Sequence, residues 1–208
     1  MENNVFVVSK GEGNTVTALE GGTYVAVCTG LIDLGLQEQE YQGEKKKSNK
    51  VMLQFTLPEE IVEINGENVP RQIHKEYTSS LADKAKLRAD LESWRGKKFT
   101  EEELNGFDLM NILGAPALLS ILAVEKNGRT YNNIATITKV PKGTGVECSV
   151  ENFTFSAKDK NSWKAFSNLP EWIKDKINAQ INIPADFVKH TEFEALPIVD
   201  DDEDGLPF

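Results

Sequence analysis

The sequence predicts a mainly β protein: a small five-stranded barrel in the order β-β-β-α-β-β, carrying accessory helices. Three observations predict it. Apolar, β-branched segments recur between turn signals at residues 23–35, 51–57, 71–78, 117–125 and 131–140. One long stretch, residues 81–95, switches to a helical period. The length, 208 residues, suits one compact domain with an appended segment.

Each element has a local reason. Residues 1–22 are polar and glycine-rich and read as a loose start. The first strand, TYVAVCTGLIDLG, contains Gly30, which predicts a bulge or sharp bend where one strand serves two sheets. Residues 42–50 (QGEKKKSNK) read as a polar, basic loop. In the second strand Val51, Leu53, Phe55 and Leu57 face one way, and Met52, Gln54 and Thr56 the other. Asn65-Gly66 is a turn, and residues 71–78 alternate as a third strand.

In the helical stretch Leu87, Leu91 and Trp94 share one face, and Gly96 is placed to cap its end. Thr100 with Glu103 forms a capping-box pattern that opens a second, short helix. Residues 117–125 read as a buried strand. Asn127-Gly128 is a hairpin turn, because both positions accept positive φ. Residues 131–140 return as the partner strand. Five strands with a helix between the third and fourth is the order of an OB-fold. Residues 1–148 therefore read as this domain, with roughly the first 20 an extension. Residues 149–190 read as an accessory strand and helical segment packed on the barrel. There Trp163, Phe166 and Trp172 are expected to pack, and Pro170 splits two short helices. Residues 191–208 read as a disordered acidic tail.

Charge is unevenly placed. The net charge is −10, yet residues 191–208 hold seven acids and no Lys or Arg. Residues 42–98 hold 12 bases against 9 acids, so the acidic balance does not exclude a nucleic-acid partner. The apolar fraction of 39% excludes a wholly disordered chain. No apolar run is long enough for a membrane helix, and the N-terminus lacks a signal-peptide layout. Cys28 and Cys148 are too few for a disulfide framework or a four-cysteine zinc site. A reduced, cytoplasmic protein is expected.

Catalytic signatures are missing. His74 and His190 are the only histidines, and no phosphate loop, zinc-protease helix or nucleophile elbow occurs. Cys28 reads as a buried, inert thiol. No enzyme activity, metal or cofactor is expected. What remains is bases interleaved with aromatics: Lys45, Lys46, Lys47 and Lys50 between strands one and two, Arg71, Lys75 and Tyr77 on strand three, and Arg129, Tyr131, Lys139 and Lys142 around strand five. Cationic groups match a phosphate track, and rings offer faces on which unpaired bases stack. Each feature has a plainer reading as solvated charge or cross-strand packing. Tyr24 and Tyr77 can face either way, because a one-residue change of register reverses them.

The last residues are Asp200, Asp201, Asp202, Glu203, Asp204, Gly205, Leu206, Pro207 and Phe208. An acidic run followed by Pro-Phe resembles the tail of bacterial and phage single-stranded DNA-binding proteins. Leu113-Gly114-Ala115-Pro116, the run from Asn127 to Ile134, and Leu169-Pro170-Glu171-Trp172-Ile173 with Ile177 are similar to segments of the phage-encoded members. The resemblance covers about residues 20–208. The second short helix and the 150–190 region depart from a minimal OB-fold and leave a homo-oligomeric state open.

The resemblance implies sequence-independent coating of single-stranded DNA in replication, recombination and repair, in the cytoplasm of a bacterial host if the chain is phage-encoded. It further implies that Asp200 to Asp204, Leu206, Pro207 and Phe208 recruit partner proteins, an apolar tip beside a carboxylate being a capture handle. Two other readings stand beside it: an OB-like adaptor that binds protein alone, and a metal-dependent nuclease or recombination enzyme.

Overall fold

The computed structural model describes residues 17–41, 43–64 and 66–194. The chain is mainly β, built on a curled sheet that forms a half-barrel, with a few short helices. The strands are β1 (Gly22–Tyr41), β2 (Glu44–Ile64), β3 (Glu67–Thr78), β4 (Pro116–Lys126), β5 (Arg129–Thr138) and β6 (Phe153–Ser156). Between β3 and β4 lie helices α1 (Lys86–Arg95) and α2 (Glu101–Asn105) and a 3-10 turn at Leu109–Ile112. After β6 come a 3-10 turn at Lys160–Ala165, then α3 (Glu171–Asn178) and α4 (Ala185–Glu194). Among the described residues no helix is long and apolar enough to cross a membrane.

Strands pair in the order β3-β2-β1-β4-β5, all antiparallel, and β6 adds to β1 in parallel. The sheet curls because β1 serves both halves. Its first residues, Gly22 to Val27, pair with β4, and Val27 onward pairs with β2. The register slips between Cys28 and Gly30, the bulge expected at Gly30. A bulge turns the following side chains to the opposite face. Thus Ala26 and Cys28 lie in the inner core with Leu31, while Ile32 and Leu34 lie in a second core outside the sheet.

The inner core holds Val51, Leu53, Phe55 and Leu57, the alternating set read from the sequence. Helix α1 closes one end of the curl with Leu87, Leu91 and Trp94. The Trp94 Nε1–H donates to the Pro116 carbonyl at 2.8 Å, and its ring meets Phe55 at 5.6 Å between centroids. Gly96 caps α1 in the left-handed region at φ 68°, and Thr100 and Glu103 form the reciprocal capping box. Asn127 and Gly128 both have positive φ, as their hairpin turn requires.

The outer core packs Ile32, Leu34 and Met52 against Phe155, Trp163, Phe166, Ile173, Ile177 and Phe187. This layer buries the alternate face of β2, so Met52, Gln54 and Thr56 are as enclosed as their inward neighbours. The Thr29 and Thr56 hydroxyls satisfy each other at 2.7 Å.

The structure corrects three expectations. Residues 44–50 are not a loop but the first part of β2, paired with the end of β1 through Glu40↔Lys45, Gln39↔Lys46 and Glu38↔Lys47. Opposite charges across the ribbon favour the pairing that the polar composition concealed. Helix α4 carries residues 191–194, so the segment beyond the domain does not begin disordered at Thr191. Phe187, fully buried in the outer core, anchors that helix. Trp172 does not pack inside as Trp163 and Phe166 do, and it is 46% exposed. The loose start at residues 1–16 and the acidic segment at residues 195–208 lie outside the described residues.

At Gly35 the outer layer packs close against β1. It sits at φ 66°, and a Cβ there would lie 2.1 Å from Gln180 Oε1. The next residues dock by backbone: Ile181 N–H donates to the Leu36 carbonyl at 2.8 Å, and Leu36 N–H donates to Asn182 Oδ1 at 2.8 Å. Gly35→Ala combines a left-handed backbone with a collision. It is expected to lower unfolding free energy by about 1–3 kcal/mol in urea melts. A loss below about 0.5 kcal/mol would show that Gln180 moves aside freely.

Candidate functional site

The bases expected to form one track are dispersed. Lys45, Lys46 and Lys47 are exposed on the β1–β2 ribbon. Glu38 engages two of them, with its carboxylate 2.9 Å from Lys45 Nζ and 3.9 Å from Lys47 Nζ. The Lys45 hydrogen bond holds the Glu38 carboxyl below the ordinary range. Lys50 is 11% exposed at the side chain and lies 3.9 Å from Glu76, which also holds Lys176 at 2.7 Å. Lys139 follows β5 at its far end, beside Trp94 and Val140, away from Arg129 and Tyr131 at the strand start. Lys142 lies beyond it.

Strand β3 turns Ile73, Lys75 and Tyr77 inward. Tyr77 is 3% exposed, and its hydroxyl donates to Asp90 Oδ2 at 2.8 Å. Burial, with Asp90 beside it, pushes the phenol well above its ordinary range. Lys75 Nζ lies 2.7 Å from Asp90 and donates to the Ala135 carbonyl at 3.5 Å, tying the open edges of β3 and β5 together. Lys75 and Tyr77 are therefore part of the frame, with no free group to offer a ligand. Tyr24 is half-buried against the inner core and donates to the Glu20 carbonyl at 2.9 Å. Cys28 is buried as expected, and burial pushes its thiol up to about 12.

A different group of residues comes together. Beyond Leu57, β2 and β3 continue as a two-stranded arm, re-registered between Leu57 and Ile61. The β4–β5 hairpin forms a second arm. Between them opens a cleft of about 820 Å³ lined by Val62, Ile64, Val69 and Arg71 on one side and Thr130, Tyr131 and Asn132 on the other, with His74 and Trp172 also in its lining.

Tyr131 is 48% exposed. The arm that carries it is braced by Asn132, whose side chain accepts from Leu19 N–H at 2.8 Å and donates to the Leu19 carbonyl at 2.9 Å. Arg71 is half-buried, and its Nε is enclosed without a hydrogen-bond partner among the described residues. Arg129 is exposed at the tip of the second arm. The first arm is acidic, with Glu59, Glu60, Glu63 and Glu67, and exposes Ile61 and Ile64.

Of the sequence-derived site, Arg71 and Tyr131 thus line one cleft, and Arg129 is not part of its lining. Trp172 and His74 are the residues that sequence reasoning missed. Their rings meet edge to face, 5.2 Å apart at 85°, and His74 Nε2 pairs with Gln54 Oε1 at 2.9 Å. A signal existed for Trp172. Ile173 and Ile177 form the buried face of α3, and Trp172 stands one residue off it. His74 carried no such signal, since its neighbours come from β2 and α3.

Among the described residues no group of three or more His, Cys, Asp or Glu is arranged to hold a metal ion. The chain matches no family model, no curated protein and no solved structure.

Burial pushes His74 down from 6.5 to about 4. The folded state therefore favours the neutral ring, and the unfolded chain takes up the proton first as pH falls. Its contribution to stability is complete above about pH 6.5 and is lost between there and about pH 4. Between pH 7 and 4 the wild type should lose on the order of 2–3 kcal/mol more unfolding free energy than His74→Gln. Equal pH profiles for the two proteins would mean that the ring protonates within the fold at no cost.

Proposed function

We propose that this protein binds single-stranded DNA, without catalysis and with little regard to base sequence, on an OB-fold. It belongs, on this reading, with the single-stranded DNA-binding proteins whose tail and core segments its sequence resembles. The observation that carries the reading is the cleft between the two arms, where the exposed Tyr131 ring and the Arg71 guanidinium line one hollow.

The topology supports it. The pairing order β3-β2-β1-β4-β5, with α1 between β3 and β4 and Lys75 of β3 reaching the Ala135 carbonyl of β5, is compatible with an OB-like barrel. Barrels of this kind take oligonucleotides on the strand two and three side, flanked by the hairpin of strands four and five. Here the outer layer covers the middle of that side, through Trp172 on His74 and Lys176 on Glu76. The part left open is the arm-to-arm cleft.

A ring with a free face stacks on any base, and a guanidinium neutralises phosphate. The carboxylates of the first arm repel a phosphate backbone and favour a path past the Arg71 guanidinium toward the second arm, which carries Arg129. Lys46, with no acidic partner among the described residues, extends the positive surface along the β1–β2 ribbon. Residues 200–208 lie outside the described residues. On the same reading Asp200 to Asp204, with Leu206, Pro207 and Phe208, recruit replication, recombination and repair proteins.

A second reading, an adaptor that binds protein alone, is favoured by Ile61 and Ile64 exposed on an acidic arm. Labelled oligo-dT separates the two. Anisotropy at two salt concentrations should show tight binding that weakens steeply with salt, and much weaker binding of duplex. Tyr131→Ala should lose about 1–3 kcal/mol of binding with the thermal melt unchanged. Arg71→Gln should flatten the log–log salt slope by about 0.7. Equal affinity for single strand and duplex at matched salt would reject the cleft as the binding site, and no binding of either would favour the adaptor.

The tail has its own test. Leu206→Ser with Phe208→Ser should leave oligo-dT affinity unchanged while abolishing retention of replication and repair enzymes on an affinity column. Unchanged retention would assign the tail no role in recruitment.

A further inference from the structure

Among the described aromatic residues of the C-terminal layer, Trp172 is the exposed one, at 46%. Its helix is held rigidly: Ile173 and Ile177 are fully buried in the outer core, and Pro170 starts the first turn. Lys176 of the same helix bonds Glu76 of β3 at 2.7 Å. On the barrel side the indole is met by one ring, His74, which is itself tied to Gln54. An edge-to-face contact covers at most one face of an indole, and Trp172 keeps 46% of its surface exposed. That ring lines the same cleft as Tyr131 and Arg71. The other two tryptophans are enclosed, Trp94 at 5% and Trp163 at 9% exposure.

An indole carried at the surface loses the hydrophobic benefit of burial, while α3 already has its own anchors. A rigidly held aromatic in a hollow with a second ring and a guanidinium has the chemistry to take a flat, π-faced, anionic ligand. We propose that Trp172 is a nucleobase-stacking residue, so that the C-terminal layer and the barrel build the binding site jointly. His74 and Gln54 act as positioning residues that set the plane of the indole. This rests on the single-strand reading above and deepens it: the unit recognised in the cleft is an unpaired base with its phosphate, one ring supplied by the β4–β5 arm and one by α3. It also gives the outer layer a function that a minimal five-stranded barrel lacks.

Intrinsic tryptophan fluorescence tests the assignment on the full chain, with binding read independently by anisotropy of labelled oligo-dT. Stacking on a base quenches indole emission. Oligo-dT should quench the wild type, and the quench should vanish in Trp172→Phe and in Trp172→Leu, since Trp94 and Trp163 are shielded. Affinity should fall roughly ten- to a hundredfold in Trp172→Leu and recover most of the way in Trp172→Phe, which restores a ring. Thermal melts of both variants identify any loss due to folding. His74→Leu should weaken binding less than Trp172→Leu.

If the wild type binds oligo-dT and Trp172→Leu, folded, binds equally well or keeps the full quench, Trp172 is not a stacking residue, and the single-strand reading survives without it. If anisotropy shows no binding by the wild type, both readings fall together. Quenching by a short acidic peptide, with none by oligo-dT, would equally overturn the assignment and mark Trp172 as a protein contact.

Discussion

The architecture depends on the slip in β1 between Cys28 and Gly30. A strand that kept its alternation would bury one face and leave the other to solvent. The slip sends Ala26, Cys28 and Leu31 inward and Ile32 and Leu34 outward, so one strand feeds two cores. It also lets β1 leave β4 and join β2 without a break. Gly30 lets β6 come close, because a Cβ there would stand 2.5 Å from Phe153 Cε1 and 3.0 Å from Gln54 Cβ. The inner curl and the outer layer are thus two consequences of one local irregularity.

The outer layer then decides which part of the β2–β3 face stays open. It covers Met52, Gln54 and Thr56, which the curled sheet alone would expose. It reaches β3 through Lys176 and Trp172, and it stops short of the β2–β3 arm. The cleft exists because two hairpins outrun the layers that bury their bases. Polar ties hold those bases together: Asn132 to the Leu19 backbone, Lys75 to Asp90 and the Ala135 carbonyl, and His74 to Gln54.

Charge follows the same division. Bases at the roots of the strands are spent on the frame, as Lys75 is with Asp90 and Lys50 with Glu76. A nearly buried ammonium needs a carboxylate close by, since removing either partner strands the other in a poorly solvated place. Bases on the ribbon are partly neutralised by Glu38, through exposed pairs that add little stability. The cleft is lined by Arg71 and the rings of Tyr131, His74 and Trp172, and by none of these lysines.

Local rules made much of the fold readable in the sequence. The alternation of residues 51–57, the spacing of Leu87, Leu91 and Trp94, the Thr100–Glu103 capping box, the Asn127-Gly128 turn and the bend at Gly30 are all effects of neighbouring residues on backbone geometry. Tyr131 and Arg71 were legible as candidates for the same reason: they sit at a hairpin start and on an alternating strand. Tertiary structure alone decided the rest. Whether Tyr77 and Lys75 face in or out turns on register, and Asp90, which binds both, comes from the next element, α1, whose packing against β3 no alternation pattern encodes. The KKK segment read as a loop because its partners, Glu38 to Glu40, lie across a hairpin that composition does not reveal. Trp172 and His74 become neighbours only when α3 lies against β3, a contact between residues almost a hundred positions apart that no local pattern encodes.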